Sequence, residues 1–188
     1  MSHFVALIDA NIFYPATLRD LILRVAMTDV FRARWTDRIH DEWISALLRD
    51  RPELQDRLPR TRELINRAVP DCLVHNYEAH IERLNLPDPD DRHVLAAAIQ
   101  CQAGVIVTMN TKDFPDSVLR PLGMQAQHPD EFLTHLHDLQ PACLVNAAQG
   151  MRKTLISPPL TVDQLLDALL RVKLPNTVSI LTQFKDVL

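Results

Sequence analysis

Two short apolar runs set the limits on what this chain can fold into. Phe4-Val5-Ala6-Leu7-Ile8 and Val105-Ile106-Val107-Thr108-Met109 each have the length of a strand buried on both faces. Each opens at once into a polar turn, Asp9-Ala10-Asn11 after the first and Asn110-Thr111-Lys112-Asp113 after the second. The segments around them carry helical spacing. Leu18, Leu21, Ile22 and Val25 share one face of a helix within residues 16–27. Trp35, Ile39, Trp43, Ile44, Leu47 and Leu48 do so in a second helix, which carries Glu42. Residues 53–68 read as helical, with Pro59 interrupting them or separating two pieces. Residues 72–75 and 124–127 are short strand candidates, Val94 to Ile99 is an apolar helix, and Pro129 leads another. This alternation predicts an α/β fold: a parallel sheet flanked by helices on both faces, in three α/β/α layers.

Composition agrees where it bears on the point. Gly numbers 3 and Pro 13, which suits helices punctuated by prolines better than a glycine-rich all-β fold. A chain of 188 residues buries roughly 70% of its extended surface, so it needs no disulfides. Cys72, Cys101 and Cys143 are widely spaced and form no CxxC, which indicates neither a disulfide framework nor a zinc ribbon. They suit a reducing compartment. The amino terminus lacks a basic region and a long apolar run, and no stretch reaches the length of a membrane helix. A soluble cytoplasmic protein is expected, with no membrane partner.

Past Pro141 the strands stop. Residues 142–155, 161–173 and 177–188 read as helices, broken at 157–159 and 174–176. Thr161 and Gln164 have the spacing of a capping box. Leu165, Leu166, Leu169 and Leu170 form an apolar face that must cover the rest of the chain, a second subunit or a partner. The expected division is residues 1–140 as one α/β domain and 141–188 as a helical extension.

The net charge of −4 argues against a protein that coats nucleic acid indiscriminately. The charge is uneven, however. Residues 19–67 hold eleven Arg against nine acids, while 68–188 hold nine basic residues against fourteen acids. Of the 20 basic side chains 16 are Arg, which can grip phosphate or carboxylate with two parallel bonds. Most of them also fit a solvated helix surface with i,i+4 pairs.

Ligands of open parallel sheets bind beyond the carboxyl ends of the strands. Asp9 and Asp113 belong there, with a turn residue bonding nearby backbone as the lesser alternative for each. Asp88-Pro89-Asp90-Asp91 reads as an N-cap, a Pro at the first helical position and two acids favoured by the helix dipole. Capping does not explain Asp91 fully. Val94, Leu95 and Ala98 lie three, four and seven residues on, so Asp91 shares the buried stripe of its helix and needs a partner. Glu42, taken alone, is an ordinary surface glutamate. Several carboxylates at one strand-end cleft would repel unless divalent cations neutralised them. Oxygen-only ligands suit Mg²⁺ or Mn²⁺. The eight histidines form no HExxH, and the chain has no phosphate loop, no GxGxxG and no GxSxG elbow.

Leu7-Ile8-Asp9-Ala10-Asn11, the helical Glu42, the run from Asp88 to Ala98, and Val107-Thr108-Met109-Asn110-Thr111-Lys112-Asp113-Phe114 resemble the PIN domain in order and context. The resemblance covers about residues 3–135. The chain looks most like the VapC-type toxins of bacteria, in a subfamily with a carboxyl-terminal helical region. That resemblance implies a Mg²⁺- or Mn²⁺-dependent endoribonuclease that hydrolyses phosphodiester bonds. By motif position the four acids that hold the metal and carry catalysis fall on Asp9, Glu42, Asp91 and Asp113. Asn11, Thr108 and Asn110 match polar positions beside the site. Asp41 could displace Glu42, and Asp90 could share or replace the role of Asp91. The implied partners are RNA, a protein antitoxin that blocks the cleft, and further copies of the chain.

Three rivals stay open. One is a nuclease of ordinary RNA processing. Another is a non-catalytic PIN-fold binding module acting through its helical tail, which the presence of all four acids disfavours. The third, a phosphatase of the haloacid-dehalogenase type, needs a second Asp two residues after Asp9, where this chain has Asn11.

Overall fold

The computed structural model of the protein describes residues 4–155 and 159–188. The first three residues of the amino-terminal reading, and Ser157 and Pro158 of the expected break, lie outside the described residues.

The chain starts with β1 (Val5–Ile8), whose last three residues are wholly buried. It turns through a short α1 (Ala10–Phe13) into α2 (Ala16–Ala26). β2 (Arg32–Arg34) follows, then α3 (Asp37–Asp50), α4 (Leu58–Ala68), the single turn α5 (Glu78–Ile81) and α6 (Arg92–Gln100). β3 (Val105–Val107), the short α7 (Asp116–Leu119) and β4 (Gln125–Gln127) complete the sheet. The order is β2-β1-β3-β4 and every pairing is parallel. Leu7 sits between Arg34 on one side and Ile106 on the other. Parallel neighbours need crossover connections, and helices supply them on both faces of the sheet, giving three α/β/α layers.

Several elements differ locally from their sequence patterns. Arg32-Ala33-Arg34 carries no strand signature, yet it forms the edge strand β2, because a single buried Ala33 and the ladder to β1 suffice at an edge. Trp35 belongs to no helix. It pairs with Leu73 in an isolated parallel bridge, and Thr36 caps α3 by accepting the Ile39 amide. Pro59 separates two helical pieces by starting the second of them. The second strong strand ends at Val107, which frees Thr108 and Met109 to enter the loop.

α8 (Pro129–Leu139), α9 (Pro141–Thr154), α10 (Val162–Arg171) and α11 (Pro175–Thr182) form the carboxyl-terminal layer. Pro141 and Pro175 open helices rather than merely ending them, as the missing N–H permits in a first turn. α9 packs on α2 and α8, and its buried face continues the main hydrophobic core. Gly150 lies under Arg24, whose Nη1 would stand 2.7 Å from any added Cβ. The box at Thr161 and Gln164 is formed, with backbone-to-side-chain bonds of 2.9 and 3.2 Å. Leu165, Leu166 and Leu169 of α10 are buried within the chain itself, against α2 and α11. Each contributes roughly 2 kcal/mol relative to exposure. No helix among the described residues is long and apolar enough to cross a membrane.

Candidate active site

Asp9 follows β1 directly, and its amide donates to the Val107 carbonyl of β3. Its carboxylate is 6% exposed. Oδ1 accepts the Ala10 amide at 2.7 Å, which caps α1. Oδ2 accepts Asn11 Nδ2 at 2.6 Å and Thr108 Oγ1 at 2.7 Å. Asn11 Nδ2 also donates to Thr108 Oγ1, while Asn11 Oδ1 accepts the Met109 amide. Thr108 Oγ1 accepts the Asn110 amide in turn. The two strand-end turns are thus stitched together around one carboxylate. Burial pushes the Asp9 carboxyl above its ordinary pKa, and Glu42 adds to this. The bonds from Thr108 and Ala10 oppose it.

The acid-rich turn has two parts. Asp88 Oδ1 accepts the Asp90 amide, so Asp88 caps the short 3₁₀ turn Pro89–Asp91. Asp90 is exposed. Asp91 is half-buried at the start of α6, and its carboxyl makes no hydrogen bond among the described residues. Burial is the main reason its pKa rises to about 7. The charges of Asp9, Asp88, Asp113 and Glu42 push it further. Asp113 closes the 3₁₀ turn Thr111–Asp113 beyond β3 and is half-buried.

Glu42 is drawn to this cluster and Asp41 is not. Asp41 bonds Arg62 Nη1 at 2.8 Å on the α4 side, where Asp37 also meets Arg62. Glu42 Oε1 accepts Arg38 Nε at 3.3 Å and His93 Nε2 at 2.8 Å. Asp88 and His93 both belong to this neighbourhood; sequence analysis gives Asp88 the capping role it has and gives His93 none. The signal for His93 was available: one polar residue at the head of the apolar run from Val94 to Ala98.

Asp9, Asp91 and Asp113 have no basic ion-pair partner among the described residues. A concentration of like charge with oxygen donors only fits a hard divalent cation. Among the described residues no three His, Cys, Asp or Glu side chains converge tightly enough to enclose a metal by themselves. A groove of ≈ 780 Å³ runs from Asn11 and Glu42 along α3, past Tyr14, Arg38 and Arg49.

The model of the PIN domain matches residues 5–112, which carry the sheet core and all but the last of these acids. The chain belongs to the PIN-domain family. The model of the VapC50 C-terminal domain matches residues 129–183, from α8 through α11. A Mycobacterium tuberculosis protein bearing the name "Putative ribonuclease VapC50" is 49% identical over 79 residues, which is 42% of this chain and 47% of the relative. The match therefore spans about half of that protein. No solved structure matches the chain. Within this PIN domain Asp9 and Asp113 lie beyond the ends of β1 and β3, Asp91 at the start of α6 and Glu42 on α3.

Proposed function

We propose that the protein is a divalent-metal-dependent endoribonuclease, the toxin of a bacterial toxin–antitoxin pair. The observation that carries the reading is the electrostatic grouping of Asp9, Glu42, Asp91 and Asp113: burial and the repulsion of the other acids push Asp91 up to about 7. The family match and the ribonuclease name of the relative support the same chemistry. We assign catalysis to residues 1–140 and treat 141–188 as a helical extension.

Asp9, Glu42, Asp91 and Asp113 would hold Mg²⁺ or Mn²⁺. Such an ion supplies charge neutralisation for a phosphodiester and lowers the pKa of a water. The protein's own part is orientation. Asn11 and Thr108 fix the Asp9 carboxylate, and the Asn110 amide closes the loop behind it by donating to the Thr108 hydroxyl. Arg38 and Arg49 on the groove give the RNA backbone cationic contacts. A half-open groove of this kind suits single-stranded or looped RNA better than a duplex.

The test is cleavage of a single-stranded RNA by the purified chain. Cutting should require Mg²⁺ or Mn²⁺ and stop with EDTA. Cutting that persists in excess chelator would sink the mechanism. A small DNA-binding protein encoded beside this chain, able to block cleavage, would support the toxin assignment. Its absence would favour ordinary RNA processing.

A further inference from the structure

We infer that His93 is a positioning residue for Glu42, setting the direction of its carboxylate; this rests on the nuclease reading above. His93 lies in the first turn of α6, and its imidazole crosses to α3. The side chain is 1% exposed, whereas Glu42 is 37% exposed. A carboxylate accepts, so the ring donates through Nε2 to Oε1 at 2.8 Å. Arg38 reaches the same oxygen from one turn earlier. Oε1 is therefore anchored twice, while Oε2 has no partner among the described residues and stays free to bind.

Stability does not account for this histidine. Its Nδ1 is buried and has no hydrogen-bond partner among the described residues. An unpaired polar atom in the interior is a cost that an apolar side chain of similar volume would avoid. Glu42 gains little from the contact either, because water already reaches it. The contact does hold one acid in direction, from the helix that starts at Asp91. Groups that orient metal-binding carboxylates work in this way: they fix one oxygen and free the other.

The experiment compares the parent chain with His93→Leu and His93→Gln. Three quantities are read: melting temperature in EDTA, Mn²⁺ affinity by calorimetry, and kcat and KM on a single-stranded RNA. His93→Leu should melt at the same temperature or higher. It should lose about tenfold or more in Mn²⁺ affinity and in kcat, the usual effect of removing an orienting group, with KM little changed. His93→Gln keeps a side-chain amide donor and should recover most of both. A His93→Leu variant that melts several degrees lower while binding Mn²⁺ and turning over normally would overturn the inference and make His93 a packing residue. So would a Gln variant no better than Leu. If the parent chain itself neither binds Mn²⁺ nor cleaves RNA, the nuclease reading falls and takes this inference with it.

Discussion

Two buried aspartates, Asp9 and Asp130, show how differently one side chain can be used in this protein. They are 6% and 3% exposed, and both stand at a helix N-terminus. Asp130, in the first turn of α8, turns away from its own helix. Its Oδ2 accepts the Asn176 amide at 2.9 Å and its Oδ1 accepts the Thr177 amide at 2.7 Å. It supplies the N-terminal cap that α11 lacks from its own sequence. Both oxygens are taken by backbone donors, so the carboxylate is a structural clamp between two helices. Asp9 accepts only one amide. Its other oxygen shares two side-chain donors and sits where Glu42 repels it. The lesson is that burial alone does not mark a site. What sets Asp9 apart as a candidate is its burial together with a nearby carboxylate, Glu42.

The sharpest way to break this contrast is to neutralise each aspartate. Asp9→Asn should reduce RNA cleavage on the order of 100-fold or more, since a metal-holding group is lost outright. Its melting temperature in EDTA should hold or rise, because one like charge leaves the cluster. A large fall in melting temperature would return Asp9 to a purely structural role. Asp130→Ala should do the opposite. One buried and one partly buried amide lose their acceptor, and unfolding free energy should drop by about 2 kcal/mol in a denaturant titration. Cleavage per folded molecule should persist. An unchanged midpoint would show that water caps α11 as well as Asp130 does.

A third test uses pH. Asp91 rises from 3.8 to about 7 in the folded protein. A raised carboxyl binds its proton more tightly when folded, so this group's contribution is fully present below pH 3.8 and is lost as pH climbs through 7. In EDTA the melting temperature should therefore fall across that window more steeply for the parent chain than for Asp91→Asn. Equal slopes would mean that Asp91 does not feel the cluster. The smallest effect is expected at Asp88, which caps a single 3₁₀ turn. Asp88→Ala should cost about 1 kcal/mol, the usual worth of an N-cap. It should also lower the pKa of Asp91, because one repelling charge is gone, and leave Mn²⁺ binding intact. If Asp88→Ala abolished metal binding while Asp91→Ala did not, the third ligand would have to be moved back along the turn.

Much of the cleft was legible in sequence because its acids sit where local pattern is strongest. Asp9 and Asp113 follow β-branched runs, and Asp91 heads an apolar helix. The choice between Asp41 and Glu42 was not legible. Adjacent helical residues point about 100° apart, and nothing in the local spacing says which face meets the sheet. The contacts that favour Glu42 come from other elements: Arg62 on α4 takes Asp41, and His93 on α6 takes Glu42. The edge strand at Arg32–Arg34 was missed for a related reason: at a sheet edge the pairing with β1, not the composition, makes the strand.

The sequence alone determined the parallel α/β class, the helical tail, the capping box at Thr161 and the chain order of the four acids. These depend on residue types and on spacings within one or two turns, which any chain displays before it folds. Only the tertiary structure decided that Asp9 meets Thr108 across 99 residues, that His93 holds Glu42, and that Asp130 caps a helix 46 residues away. Each of these contacts exists because two elements pack in one register, and packing register is a property of the whole core rather than of any segment.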